Sequence, residues 1–309
     1  MMGYLSSTLP VRVLTKVKRE FLRAPVINGW ANGRHLARIE QHAHNLPALN
    51  GERLGVLSEL REQGVAVRNG TTMIPAGVLE VADRFVERLR ESTQQPQERT
   101  NGIYMPEIEL PRSMPNIPAD CAPLYEWGLT DENLDLAECY LGLPVFFVGG
   151  AVRRERVDGP ADYPTRLWHK DIDDRRMLKL IIYLNDVDSV GGAFEYLNQT
   201  ASATATHAFR YSAGHISDVA MAGVVERSDW ISVTGPRLTT IFVDPAHLLH
   251  RAQPPIETDR YSLTLTYLST TPLYQTFQES RLTPSALAGL SGAVTPRLRR
   301  AATTTARLG

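Results

Sequence analysis

The chain has 309 residues, 43% hydrophobic and 22% charged, with 33 Lys+Arg against 34 Asp+Glu for a formal net charge of -1. That size and apolar share allow a sizeable core, while the balanced charge gives no electrostatic footprint for nucleic acid or an anionic membrane surface. Two cysteines, Cys121 and Cys139, are too few for a disulfide framework or a thiolate metal site and read as reduced structural thiols.

Residues 1–34 are punctuated by Pro and Gly and are predicted as an irregular arm. This arm is basic but lacks the apolar stretch of a signal peptide, and no window approaches the ~18 apolar residues of a membrane span, so a cytoplasmic protein is expected. From Gly33 to about Gly64, apolar residues recur at helical spacing, interrupted by Pro47 and Gly51. Gly64–Val67 reads as a short strand, and Pro75 to about Glu91 as an amphipathic helix with Val78, Val81, Phe85 and Leu89 on one face. A polar loop is expected over Ser92–Asn101, then a helix over Asp131–Leu141 stopped by Gly142 and Pro144. From Val145 to about Ser269 short β-rich runs alternate with turns, the pattern of an antiparallel sandwich or barrel. The expected class is therefore α+β with a mainly β core. One domain is expected: a helical part with its arm over 1–144, a sheet core over 145–272, and a helical or disordered extension over 273–309 whose arginines are solvated.

The chemistry concentrates in Trp168-His169-Lys170-Asp171, expected at a strand end. On an extended chain residues i and i+2 share a face, so His169 and Asp171 can reach one metal ion. One distant His would complete a two-His-one-carboxylate triad, which suits Fe(II) and leaves three positions open. His247 and His250 compete for that place. Arg260 follows His250 by ten residues and is joined by Ser262 on one strand face, which favours His250. A guanidinium beside a hydroxyl is a receptor for a carboxylate. On the same alternation Thr264 and Thr266 join Arg260 and Ser262, while Leu263, Leu265 and Tyr267 face the other way. Lys179, inside the apolar run Leu178–Tyr183, either snorkels from an edge or lies beside an anion, as a contact to cosubstrate or substrate. Trp168 reads as packing; His247 as a core or supporting residue; Arg175 and Arg176 as solvated or paired with Asp173 or Asp174; His207 and His215 receive no role.

In Arg166–Asn198 and Phe242–Tyr267 the sequence resembles the phytanoyl-CoA dioxygenase-like family of Fe(II)/2-oxoglutarate-dependent oxygenases. It carries the tryptophan before the first ligand, the aspartate-containing turn after the strand, and the Gly191-Gly192-Ala193-Phe194 segment. The resemblance implies a double-stranded β-helix (a jelly roll, cupin-like) with N-terminal helices packed on one sheet. It implies iron on His169, Asp171 and His250, and 2-oxoglutarate chelating that iron with its C5 carboxylate on Arg260 and Ser262. Dioxygen is then the oxidant, and an aliphatic C–H of a small molecule, in specialised metabolism, is the expected target. Hydroxylation is the default outcome, with desaturation, oxidative cyclisation or epimerisation as variants. Two departures bear on this. Asn198-Gln-Thr-Ala-Ser202 stands where the family commonly has Pro-Gly-Ser-His, at the substrate's border, and Asp171 stands where halogenating members carry a small residue. Residues 100–130 and 199–230 are expected as loops that shape the pocket. The alternatives are a non-redox metal enzyme on a cupin-like barrel and a catalytically silent binding module; the oligomeric state stays open.

Overall fold

The computed structural model describes residues 25–70, 74–91, 97–99, 102–104, 107–109 and 121–273, together with Leu290, Arg297 and Ala301. Most of the expected arm, polar loop and C-terminal extension lie outside these residues. Among the described residues the first helix, α1 (Pro25–His42), begins within the segment expected to be irregular. A break at Leu46–Asn50 separates it from α2 (Gly51–Gln63), as Pro47 requires. β1 (Val65–Arg68) follows, then α3 (Ala76–Glu91), which buries Val78, Val81, Phe85 and Leu89 at three- and four-residue intervals. Two short strands, β2 (Gln97–Arg99) and β3 (Gly102–Tyr104), pair within the region read as loop, and β4 (Glu107–Glu109) joins the main sheet.

A short helix not foreseen, α4 (Ala122–Gly128), precedes α5 (Asp131–Leu141). α5 carries Asp131 and Glu132 in its first turn, where the helix dipole favours negative charge. It ends as expected at Gly142, whose N–H still reaches Glu138 O and whose φ of 69° turns the chain out of the helix. Arg297, read as solvated, instead clamps Asp135 and Glu138 on this helix. Two acids one helical turn apart make a seat for a guanidinium that the sequence of the tail alone does not reveal.

The remaining strands are β5 (Val145–Glu155), β6 (Leu178–Tyr183), β7 (Phe194–Leu197), β8 (Trp230–Val233), β9 (Thr240–Val243), β10 (His250–Ala252) and β11 (Arg260–Ser269). Helices α6 (Gln199–Ala208) and α7 (Asp218–Ala222) occupy much of the stretch expected to be loop. Asn198 caps the first of them, its Oδ1 accepting from Ala201 N at 2.8 Å.

Antiparallel pairing builds a six-stranded sheet in the order β1-β9-β6-β11-β5-β4 and a three-stranded sheet in the order β10-β7-β8. The evenly divided eight-stranded jelly roll is thus not laid out in full among the described residues; helices with antiparallel sheets are. One face of the large sheet (Leu180, Ile182, Phe242, Leu263, Leu265) shares a core with Val78, Phe85 and Leu134 of the helices. Each fully buried leucine there contributes about 1.5–3 kcal/mol. The other face turns toward the small sheet, where Tyr183, Ile241 and Val243 pack on Phe194, Tyr196 and Val233. Cys121 and Cys139 are both buried, and neither is in a disulfide. No helix among the described residues is long and apolar enough to cross a membrane.

Candidate metal centre

β11 divides its residues between these two surroundings. Leu263, Leu265 and Tyr267 enter the helix-side core, and Arg260, Ser262, Thr264 and Thr266 line a cavity of about 280 Å³. His169 and His250 line that cavity as well, and so do Lys179 and Ile181 from β6. The structure therefore gathers every sequence-predicted site residue around one space, with Asp171 beside it.

His169 and Asp171 are not in a strand, contrary to expectation. The segment leaves a 3₁₀ turn at Pro164–Arg166 and is held extended by separate backbone contacts. Trp168 bridges Ile216, and His169 bridges His250 through two N–H···O bonds of 3.0 Å. Asp171 N donates to Pro245 O at 2.9 Å. Because its partners, Ile216, Pro245 and His250, come from two loops and the start of β10, no continuous ladder forms, yet the i and i+2 side chains still share a face. The backbone bridge places the two candidate ligand histidines next to each other, with ring centroids 4.4 Å apart.

Three ligand atoms, one each from His169, Asp171 and His250, lie within 4.8 Å of one another. Nε2 of His169 and of His250 stand 3.8 and 4.0 Å from Asp171 Oδ1. Both rings are oriented by the same local device: Nδ1–H donates to the carbonyl two residues earlier, Leu167 O at 2.8 Å and Leu248 O at 3.0 Å. That fixes the tautomer and leaves the Nε2 lone pairs free for a metal. Burial, then the neighbouring His250, pushes His169 down to about 3, and burial likewise lowers His250. Burial opposes the charge of Asp171, but Lys179, His250 and His169 outweigh it and hold the carboxyl below its usual range. Neutral imidazoles and an ionised carboxylate are the states that bind a cation.

Lys179 is not at an edge, since β6 lies between β9 and β11. Its Nζ is 2.5 Å from Asp171 Oδ2, so the anion beside it is the candidate ligand itself. Arg260 is 5% exposed. Its Nη1 donates to Gly192 O, Tyr183 lies 6.0 Å from the guanidinium, and Nε–H meets no acceptor among the described residues. A buried N–H left open beside a cavity is a donor that a ligand, an ion or water could satisfy. Arg260 is thus no surface arginine, and the neighbouring Asp259 is held by Arg154 at 2.6 Å.

His247 is half exposed and is neither ligand nor core; its Nδ1–H donates to Asp244 Oδ2 at 2.7 Å. Asp244, wholly buried, also accepts from Tyr140 OH and from the amides of Ala246 and Met177, and so shapes the turn that delivers His250. The sequence carried a signal for it, an Asp whose side chain can cap the amides that follow. Trp168 packs edge-on to Trp230 at 5.0 Å, as a packing residue does. Arg175 donates to Asn32 and Arg176 to Tyr140 O. His215, given no role, sits with its ring 5.5 Å from that of His169, placed there by the Trp168–Ile216 bridge. Only the folded pairing reveals that neighbour.

No family model matches the sequence, and no curated protein does. Solved structures do align with it. HygX from Streptomyces hygroscopicus, with nickel and 2-oxoglutarate bound, is 17% identical over 80% of this chain and 95% of its own, with a TM-score of 0.47. SnoK, a non-heme alpha ketoglutarate dependent carbocyclase from nogalamycin biosynthesis, is 16% identical over 75% of this chain and 91% of its own, with a TM-score of 0.49. AviO1 from Streptomyces viridochromogenes Tue57 is 16% identical over 73% of this chain and 98% of its own, with a TM-score of 0.47. Likeness at this level assigns neither reaction nor substrate to this chain, whose chemistry rests on the geometry of its own site.

Proposed function

We propose that this chain is an Fe(II)/2-oxoglutarate-dependent oxygenase of the phytanoyl-CoA dioxygenase-like kind, a single domain on a jelly-roll scaffold, acting on an aliphatic C–H of a small molecule in specialised metabolism. The observation that carries this reading is the pairing, around one cavity, of a His-Asp-His cluster with a buried arginine that keeps an N–H open. His169, Asp171 and His250 are the residues that would hold iron. Two imidazoles and one carboxylate occupy three positions and leave three, enough for a chelating cosubstrate and dioxygen. Arg260 and Ser262 are the groups that would take the far carboxylate of 2-oxoglutarate, fixing its orientation by charge-assisted hydrogen bonds.

When bound, iron would let dioxygen, the oxidant, take two electrons from 2-oxoglutarate, which leaves as succinate and carbon dioxide, and two from the substrate C–H. The chain's own residues orient the partners and limit access of water. Hydroxylation is the default outcome; desaturation or cyclisation would differ in what the substrate radical does after the hydrogen atom is lost. In a metal enzyme without redox chemistry the open arginine would take an anionic substrate, and 2-oxoglutarate would give no charge-transfer band with the metal.

Anaerobic addition of Fe(II) and 2-oxoglutarate tests the reading. A visible metal-to-ligand charge-transfer band is expected, and its absence from folded protein sinks the proposal. Asp171→Ala is expected to abolish succinate release coupled to substrate. Arg260→Ala is expected to weaken 2-oxoglutarate binding roughly tenfold or more, on the order of one buried charge-assisted pair, while iron binding stays largely intact.

A further inference from the structure

Glu155, the last residue of β5, is 0% exposed and stands opposite Arg260 in the β5–β11 register. Its carboxylate lies between two guanidiniums. Arg166 Nε is 3.4 Å from Oε2, and Arg260 Nη2 is 4.0 Å from Oε1. Thr165 Oγ1 adds a contact to Oε1 at 3.4 Å. Arg166, 1% exposed, is anchored apart from this acid, because Nη1 donates to Gly159 O at 2.8 Å and Nη2 to Arg156 O at 2.5 Å.

One buried acid thus serves two buried cations. A carboxylate so close to a receptor arginine is an internal rival to any carboxylate that enters the cavity. Nothing in the backbone keeps Glu155 off Arg260, since the two are directly paired across the strands. What differs is Arg166, which approaches the acid more closely and is held in place by two carbonyls. Of the two arginines, Arg260 is the one that lines the cavity and keeps Nε–H open.

We infer that Arg166 is a positioning residue: it draws Glu155 aside, prevents the acid from closing on Arg260, and so holds the anion receptor open for a dicarboxylate. Arg166 also lies three residues before His169, which couples the receptor to the segment that carries two of the candidate metal ligands. The inference rests on the cosubstrate reading given above.

The test uses Fe(II) with 2-oxoglutarate or with 2-oxopentanoate, which has the same chelating end and no distal carboxylate. Binding is read anaerobically from the charge-transfer band, on variants whose thermal melts show them folded. Arg166→Met is expected to weaken 2-oxoglutarate about tenfold and to leave 2-oxopentanoate within twofold. Arg166→Lys, which keeps a cation beside Glu155, should stay near the wild type. Adding Glu155→Gln to Arg166→Met removes the rival and is expected to restore 2-oxoglutarate affinity to within about threefold of the wild type. Loss of pair and partner together is the change a buried ion cluster tolerates best. Should Arg166→Met not fold, Glu155→Gln alone decides, with affinity equal to or tighter than wild type expected. The inference is overturned if Arg166→Met leaves 2-oxoglutarate unaffected, weakens both acids alike, or is not rescued by the second change. A tenfold weakening in Glu155→Gln alone also overturns it. No band in the wild type with either acid removes the cosubstrate reading itself; a band without preference for 2-oxoglutarate removes the role of Arg260.

Discussion

Asp171 turns its two oxygens to different partners. Oδ1 faces both histidines, and Oδ2 faces Lys179 at 2.5 Å. Lys179 thereby does two things: it compensates the buried carboxylate in the metal-free protein, and it reserves one oxygen so that the other alone is presented to a cation. Removing one partner of a mostly buried pair leaves the survivor uncompensated. Lys179→Met is therefore expected to lower the stability of the metal-free protein by about 1–3 kcal/mol. The stabilisation on adding Ni(II) or Fe(II) should grow, because the metal then supplies the missing positive charge. Melting curves with and without metal check this, and an unchanged metal-induced shift counts against it. At this scale the sequence was partly legible. His169 with Asp171, and Arg260 with Ser262, are i and i+2 pairs whose shared face follows from local geometry. The partner of Lys179 and the rivalry around Arg260 depend on which strands lie side by side, which no local pattern contains.

Gly191-Gly192 shows how an element aims a side chain. Gly192 has a φ of 75°, and a Cβ there would come 2.9 Å from Pro255 Cβ and 3.0 Å from Gln253 O. Its carbonyl accepts from Arg260 Nη1. Gly192→Ala forces the turn to move and takes that acceptor with it, at a cost of about 1–3 kcal/mol. We expect weaker binding of 2-oxoglutarate, unchanged binding of metal alone, and a near-native circular dichroism spectrum. Retained affinity for the dicarboxylate would show that Arg260 does not depend on this carbonyl. Among the elements, α3 and α5 were readable from period and caps, and β5, β6, β7, β8, β9 and β11 from their β-branched and aromatic runs. The first ligand segment misled because Thr165–Asp171 has strand composition but finds only scattered partners. β10 escaped notice because three residues are too few to set a pattern, and α6 because its run of Ala and Thr has little apolar contrast.

Across the molecule, buried imidazoles make acid the weak side of its stability. Burial first, and then the nearby Arg175, Arg38 and Arg176, lowers His35 to about 4, while His169 is held at about 3. A histidine lowered on folding binds its proton more readily in the unfolded chain. Stability is therefore unaffected by these groups above about pH 6.5 and falls as the pH drops from there toward 4 and 3. Each group contributes a slope of at most about 1.4 kcal/mol per pH unit. Asp171 acts in the same direction at still lower pH. Melts of the metal-free protein from pH 8 to 4 should be flat at first and then fall, more gently in His35→Gln; a stability that rises on acidification contradicts this account. The strand that separates core from cavity also restricts how such a protein can diverge. β11 alternates leucines and cavity-lining polar groups one by one, so a single-codon insertion or deletion in its middle would exchange the two sets beyond that point. Aliphatic bulk would fill the reaction space, and hydroxyls would enter the oil beneath the helices. Lineages that keep this wall in frame can still adapt to other substrates by point replacements on one side of it, or by remodelling the segments that lead into and out of the sheets.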